Sequence, residues 1–236
     1  TSRVFNLSKI SIGNALSLAA SKSSGLKIQF GTMGKPYHAG MAASAGVEVA
    51  TLASNGMTSA ENAFEGEYGF GAAYGNCNHF PGLNLRKKEF LFTNVKYKFH
   101  ACCHGTHASI EALLFLKKSF EIKSKDVENI IITVHPSYST VCNIQKPKSG
   151  LEIKFSYRMI AALVMFGYNT SKLSLFSDRM CFDERLVQFR EKILVKFSHE
   201  LKESESFVEV QLFSGKSYAK TYDLNEFLEY KFLEYK

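Results

Sequence analysis

Residues 31–40 read GTMGKPYHAG, and Lys35 and His38 stand three residues apart in this glycine-rich segment. Glycine lets backbone N–H groups approach a ligand closely. A helix that follows directly would also turn its free N–H groups toward an anion. The segment therefore predicts a carboxylate-binding loop that runs into a helix. An ordinary interhelical turn with exposed polar side chains is the alternative.

Residues 96–107 read KYKFHACCHGTH and contain most of the other candidate cations. The alternation of a strand would place three of them on one face; they are Lys96, Lys98 and His100. A helix that begins near the second cysteine would bring His104 and His107 onto one helical face. Histidine is readily tuned for proton transfer near neutral pH, so the segment predicts an anion pocket with acid–base groups.

Two other interpretations of residues 96–107 stay open. Two cysteines and three histidines close together invite zinc, but the adjacent Cys102 and Cys103 cannot easily both reach one tetrahedral ion, and CxxC spacing is absent. We therefore expect no bound metal. The other interpretation is a buried histidine with satisfied ring nitrogens beside packing cysteines. A serine hydrolase is disfavoured because no GxSxG elbow is present.

The composition is that of an ordinary globular protein, with 45% hydrophobic and 22% charged residues in 236. The net charge of +7 favours anionic partners. Because the lysines and arginines are scattered rather than gathered in a stripe, a small anion is expected rather than nucleic acid. No apolar run approaches the roughly 20 residues of a membrane span. Five cysteines without CxxC, and no signal-peptide pattern at the start, predict free thiols and a cytoplasmic protein.

Periodicity predicts an α+β fold in which an all-helical domain, residues 1–87, precedes an α/β domain of mixed strands and helices, residues 88–236; the resemblance described below implies that the first is only part of a helical domain and the second a smaller lid. Helices are predicted over residues 7–23, 41–54, 106–120, 153–166 and 183–190, and a capping box at Thr58–Glu61 predicts a further short helix. Strands are predicted over residues 95–100, 129–135, 192–198, 206–213 and 216–222, the last two joined by a tight turn at Ser214–Gly215. The glycine-rich residues 66–82 are predicted to be loop.

Four blocks of the sequence, in order, resemble the MmgE/PrpD family, which includes 2-methylcitrate dehydratase, cis-aconitate decarboxylase and iminodisuccinate epimerase. The first two are NALSLAASKSSGL and FGTMGKPYHAGMAASAGVEVATLASNGMTSAENAFEG. The second of these is similar to the family pattern FGTM-x-KP-x-HAG. The others are VKYKFHACCHGTHASIEAL, similar to a lysine strand followed by C-x-x-TH-x-x-I-D/E-A, and IKFSYRMIAALVMFG. Residues after 168 match only loosely.

The resemblance implies an enzyme with a helical domain, an α/β lid and an active site between them. It implies lyase-type proton chemistry, dehydration or decarboxylation, on a small di- or tricarboxylate such as 2-methylcitrate or cis-aconitate; epimerisation of a dicarboxylate is an alternative. No metal or organic cofactor is implied. The matching candidate catalytic residues are Lys35, His38, Lys98, His104 and Tyr157. Substrate binding is expected from Lys35, Lys98, His100 and His107.

Family members are longer than this chain and begin with a helical region that supplies further catalytic residues. The chain is therefore expected to be a fragment that lacks this region and a helical segment after the lid. It would then be weakly active, or act as a non-catalytic remnant or as one half of a split enzyme. Unpartnered helical faces predict a homo-oligomer, such as a dimer, or association with the missing half.

Overall fold

A computed structural model describes residues 1–75 and 97–225 of the chain. It divides the chain into two units, Thr1–Val95 and Lys96–Lys236, and each is described by itself. The domain boundary predicted near residue 88 lies outside the described residues, as do Cys77, Val95 and Lys96. The boundary therefore stays a prediction.

The first unit is built on two helices that pack through small side chains. Helix α1 spans Lys9–Lys22, helix α2 spans Gly34–Ser54, and a short helix α3 spans Phe70–Gly75. The hydroxyl of Ser8 accepts a hydrogen bond from the Ser11 N–H at 3.1 Å and caps α1. Small and β-branched residues of both helices form the buried contact, namely Ala15, Val49 and Ala53. Both predicted stretches, residues 7–23 and 41–54, therefore contain a helix.

Three predictions for this unit are wrong. Helix α2 begins at Gly34, seven residues before the predicted start, since Pro36 lies in the first turn, where an N–H has no partner within the helix. No helix opens at Thr58; the segment is instead bound to α1, where the N–H of Ser59 donates to Asn14 Oδ1 at 3.2 Å. Helix α3 replaces part of the predicted loop over residues 66–82.

The second unit contains a four-stranded mixed sheet in the order β2-β1-β3-β4. The strands are β1 (Val127–Val134), β2 (Ile193–Phe197), β3 (Glu205–Leu212) and β4 (Ser217–Asp223). Strand β1 pairs parallel with β2 and antiparallel with β3, so that Ile130 lies between Ile193 and Val210. Gly215, with φ of +80°, makes the predicted turn between β3 and β4. The α+β fold class is thus confirmed.

The helices of this unit are α4 (His107–Ser119), α5 (Gly150–Ile153), α6 (Tyr157–Met165) and α7 (Glu184–Arg190). Helices α4 and α6 pack against the sheet, and α7 packs against α6. Helix α4 packs against β3, β4 and α6. The central apolar side chains are fully buried; among them are Ile110, Leu113, Leu116, Ile130, Ile132, Ile160, Leu163 and Val210. The core of this unit therefore lies between α4, α6 and the sheet.

Two predictions for the second unit are wrong. The helix predicted over residues 153–166 begins only at Tyr157, after the separate short helix α5, because Ser156 is extended, bridges to Asn143 and caps α6 by accepting the Met159 N–H at 3.2 Å. Residues 97–100 are not a strand, although their alternation suggested one. His100 is instead hydrogen-bonded to side chains of other segments, which fixes this stretch without a neighbouring strand.

Helices α1 and α2 expose apolar side chains, with Ile10 79%, Leu16 54% and Val47 51% accessible. Among the described residues, no helix has both the length and the apolar character needed to cross a membrane. Exposed apolar patches favour association between proteins. The expected self-association stays a prediction.

We expect the purified chain to elute as a dimer or larger species, and the double variant Ile10→Ser, Val47→Ser to shift toward monomer. Size-exclusion chromatography with light scattering measures this directly. Leu26→Ser is the matched control, because Leu26 is 65% exposed but lies outside both helices. A monomeric wild-type chain at micromolar concentration would contradict the expectation.

Gly150, the first residue of α5, lies against the backbone of Phe176. A Cβ at this position would be 2.1 Å from the Phe176 carbonyl oxygen. We expect Gly150→Ala to lower the free energy of unfolding by about 1–3 kcal/mol or more, as measured in urea, because the backbone must shift. Gly13→Ala in α1 is the control: its Cβ would meet nothing within 4 Å, and the change should stabilise by about 0.5–1 kcal/mol. Equal effects of the two substitutions would show that the close approach at Gly150 is unimportant.

Candidate functional site

The start of α4 and the loop before it carry an exposed lysine and an accessible histidine, Lys98 and His104. Lys98 is exposed, and its Nζ donates to the Cys102 carbonyl oxygen at 3.3 Å. This hydrogen bond holds the ammonium beside the turn that leads into the helix. His104 is half-buried and opens the 3-10 turn His104–Thr106 directly before α4. A cation and an imidazole are therefore presented together.

A second layer of imidazoles lies beneath this accessible edge. The ring centroids of His104 and His107 are 5.2 Å apart, as expected for residues three apart at the start of a helix. The ring of His100 meets that of His107 edge-on at 5.0 Å. Because His107 is 2% and His100 6% exposed, only His104 of the three is substantially accessible.

His100 is held at both ring nitrogens. Its Nε2 lies 3.1 Å from Glu111 Oε1 on α4, and its Nδ1 lies 2.7 Å from Thr170 Oγ1. The neighbouring Ala101 N–H also donates to the Thr170 carbonyl oxygen at 2.9 Å. His100 is thus the buried, satisfied histidine that the sequence left open as an alternative. A direct role in substrate binding stays a prediction.

His107 has one engaged nitrogen and one bare nitrogen. Its Nε2 is buried and has no hydrogen-bond partner among the described residues. His107 also donates a hydrogen bond to the Cys102 backbone, which raises its pKa. Because Nε2 has no partner in the described part of the chain, the donor is Nδ1–H, and a lone pair is left on Nε2. Burial lowers the pKa of His107 to about 3, and the nearby His100, His104 and Lys98 act in the same direction. His107 is consequently a neutral hydrogen-bond acceptor at physiological pH.

Tyr157 supports the turn that carries His104. Its hydroxyl donates to the Gly105 carbonyl oxygen at 2.9 Å, and burial raises its pKa well above the usual value. Gly105 is required there, since a Cβ would lie 2.3 Å from Tyr138 Cε1. In this arrangement Tyr157 keeps its proton and fixes the backbone, while the predicted catalytic role of Tyr157 stays a prediction.

Cys102 is a buried, protonated thiol rather than a reactive one. Cys102 Sγ lies 3.1 Å from Thr106 Oγ1, and burial raises the pKa of its thiol to about 12. Within residues 1–75 and 97–225, no three His, Cys, Asp or Glu side chains are placed to hold a metal ion. The expectation that the protein binds no zinc stays a prediction.

Lys35 and His38 lie in the first turns of α2, in the first unit. They are half-buried and three residues apart, so they share one face of the helix. Lys35 Nζ lies 4.5 Å from the centroid of the Phe30 ring, a cation–π contact. A Cβ on Gly25 would lie 3.2 Å from His38 Nδ1, so this glycine accommodates the ring. Whether Lys35 and His38 serve the same site as Lys98 stays a prediction.

Three residues that organise the site were not among the predicted ones: Glu111, Thr170 and Gly105. Glu111 follows His107 by four residues, which is the spacing of side chains on one helical face. That spacing was a usable signal in the sequence. Thr170 lies 70 residues from its partner His100, and no local pattern reveals such a contact.

Comparison with known families adds a second line of evidence. The sequence model of the MmgE/PrpD N-terminal domain matches residues 1–81, and that of the MmgE/PrpD C-terminal domain matches residues 100–220. The chain belongs to the MmgE/PrpD family. The second match contains Lys98's neighbours His100, His104 and His107, and it also contains Tyr157.

The chain is also similar to part of a longer fungal protein. It is 29% identical over 129 residues to the cis-aconitate decarboxylase-like protein oryM of Aspergillus oryzae (strain ATCC 42149 / RIB 40). The alignment covers 51% of this chain and 27% of that protein. This MmgE/PrpD chain therefore matches about a quarter of the length of that relative.

The low pKa of His107 predicts a pH-dependent stability. The ordinary pKa of 6.5 falls to about 3 on folding, so between these values the unfolded chain binds a proton that the native chain does not. The free energy of unfolding should therefore fall as the pH drops below 6.5, by about 1.4 kcal/mol per pH unit. Urea denaturation at pH 7 and pH 5 measures this loss, and His107→Gln should make it smaller by about 2 kcal/mol. If wild type and variant lose the same stability, His107 is not the group responsible.

Proposed function

We propose that this MmgE/PrpD chain carries the lid-domain half of a lyase site for small polycarboxylates, in which Lys98 binds a substrate carboxylate and His104 transfers a proton. The observation that carries the proposal is the pairing of an exposed ammonium with a half-buried imidazole at the start of α4. The family membership supports lyase-type chemistry. The name of the Aspergillus relative favours decarboxylation of cis-aconitate over the other family reactions.

The reaction requires positive charge near the substrate. In decarboxylation the C–C bond to one carboxylate breaks, CO2 leaves, and the electron pair stays on the adjacent carbon until a proton arrives. In dehydration a C–H proton is removed before or as the hydroxyl group leaves with a proton as water. Both routes accumulate negative charge beside a carboxylate, and a fixed ammonium such as that of Lys98 stabilises it.

His104 suits proton transfer because it is accessible and lies against a neutral ring. The imidazole of His107 cannot compete for a proton at neutral pH, since its pKa is about 3. Its bare Nε2 could instead accept a hydrogen bond from a hydroxyl or carboxylic acid group of a ligand. Lys35 and His38 of the first unit are proposed as further carboxylate-binding and proton-transfer groups, in line with the family resemblance of their motif.

The proposal is tested by assaying the chain for turnover of cis-aconitate, 2-methylcitrate and iminodisuccinate, with cis-aconitate expected to be preferred. Lys98→Met should lower kcat/KM by roughly 10- to 100-fold, because a hydrogen bond to a charged group is lost. Lys125→Met is the matched control: Lys125 is also exposed but lies in the turn before β1. It should leave kcat/KM unchanged.

Binding measurements separate weak activity from a wrong substrate class. A chain that binds these acids without turnover, and loses binding in Lys98→Met, would still support the carboxylate site but not the lyase activity. If none of the three acids is bound or converted, or if the two lysine variants behave alike, the proposed function has to be abandoned.

A further inference from the structure

The contact between His100, Glu111 and Thr170 joins three segments of the second unit that are distant in the sequence. His100 lies in the loop between Lys98 and His104, Glu111 lies on α4, and Thr170 follows α6. The exposed fraction is 8% for Glu111 and 4% for Thr170, and 6% for His100. A buried network of hydrogen-bonded side chains is stable only when every donor meets an acceptor.

One placement of hydrogens gives each donor in the His100, Glu111 and Thr170 contact an acceptor. An ionised Glu111 can only accept, so His100 Nε2 carries a hydrogen and donates to it. The Thr170 hydroxyl has one hydrogen, and among the described residues its side-chain partner is His100 Nδ1 at 2.7 Å. If Nδ1 also carried a hydrogen, two donors would face each other unless the threonine hydroxyl turned its hydrogen away into the buried interior. The matched arrangement is therefore a neutral His100 with its proton on Nε2.

The same contact controls the loop that bears the proposed site. His100 is anchored to α4 through Glu111, and Ala101 is anchored to Thr170 through the 2.9 Å backbone hydrogen bond. Lys98 lies two residues before His100, and His104 lies three residues after Ala101. The His100 ring also touches that of His107 at 5.0 Å. Rotation or loss of the His100 ring would therefore displace the site groups on both sides of it.

We propose that Glu111 and Thr170 are positioning residues that hold His100 as the neutral Nε2–H tautomer, and that this fixed ring sets the placement of Lys98 and His104. The inference rests on the proposed lyase function for its effect on turnover, but not for the tautomer itself. Neither Glu111 nor Thr170 is expected to touch the substrate. Their effect on the reaction is transmitted through His100.

The tautomer is measured on the 236-residue chain by two-bond 1H–15N correlation spectra of the histidine rings, with His100 assigned from the spectrum lost in His100→Phe. At pH 7.5 we expect a hydrogen on Nε2 and none on Nδ1 of His100. Glu111→Leu removes the acceptor and should raise the population with a hydrogen on Nδ1. A wild-type His100 that is doubly protonated, or that carries its hydrogen on Nδ1, would overturn the proposal without any variant having to fold.

Turnover of cis-aconitate then tests the positioning role. Thr170→Val should lower kcat by about tenfold or more through loss of a buried hydrogen bond, with a smaller change in KM, because misplaced groups cost most in the transition state. Thr170→Ser keeps the hydroxyl and should restore kcat. Circular dichroism must show all variants folded.

The lyase function and the positioning role of Thr170 are tested by different outcomes. If wild-type protein converts no polycarboxylate, the lyase function fails, while the histidine spectra still decide the tautomer. If Thr170→Val and Thr170→Ser have equal kcat values, or if only KM changes, the positioning role is wrong even where the lyase function holds.

Discussion

The burial of the first turns of α4 is the constraint on which the candidate site depends. Every residue from Thr106 to Leu113 is buried, although His107, Ser109 and Glu111 are polar. Burying such groups without partners costs several kcal/mol; Ser109 and Glu111 are accordingly hydrogen-bonded, whereas His107 Nε2 has no partner among the described residues. The Thr106 carbonyl accepts from Ser109 Oγ, and the loop before the helix folds back to bring His100 to Glu111. The position of the loop that carries Lys98 and His104 is thus set by the hydrogen bond that the buried Glu111 requires.

Much of this architecture could be predicted from local pattern. The apolar spacing in α4 and the β-branched runs in β1 and β3 located these elements to within one or two residues, because each has one face in the core. The hairpin turn at Ser214–Gly215 was equally local, since Gly215 provides the positive φ that the turn needs. These elements are ones in which propensity, periodicity and tertiary packing agree.

The wrong predictions arose where a distant partner decided the outcome. The Ser59 N–H and hydroxyl both donate to Asn14 of α1, and no helix follows Thr58. Alternation around Lys98 suggested a strand, but His100 is bound by Glu111 and Thr170 rather than by a neighbouring strand. In the candidate site, too, contacts between residues close in sequence could be predicted and distant ones could not. His104 and His107 could be paired from helical spacing, whereas Thr170 could not be found, because its contact with His100 spans 70 residues.

Lys98 is charged at the surface and His107 is neutral in the interior, and this difference bears on the proposed mechanism. Lys98, at the surface, keeps its ammonium hydrated until a ligand arrives, so holding that charge costs the fold little. Beneath it His107 is neutral, and a neutral ring adds no buried charge that the core would have to compensate. In the proposed site, a substrate anion approaching Lys98 would therefore meet a positive group at the entrance and the neutral, fixed ring of His107 behind it. The dipole of this ring does not have to reorganise as charge moves during the reaction, which is the condition under which electrostatic stabilisation of a transition state is most effective.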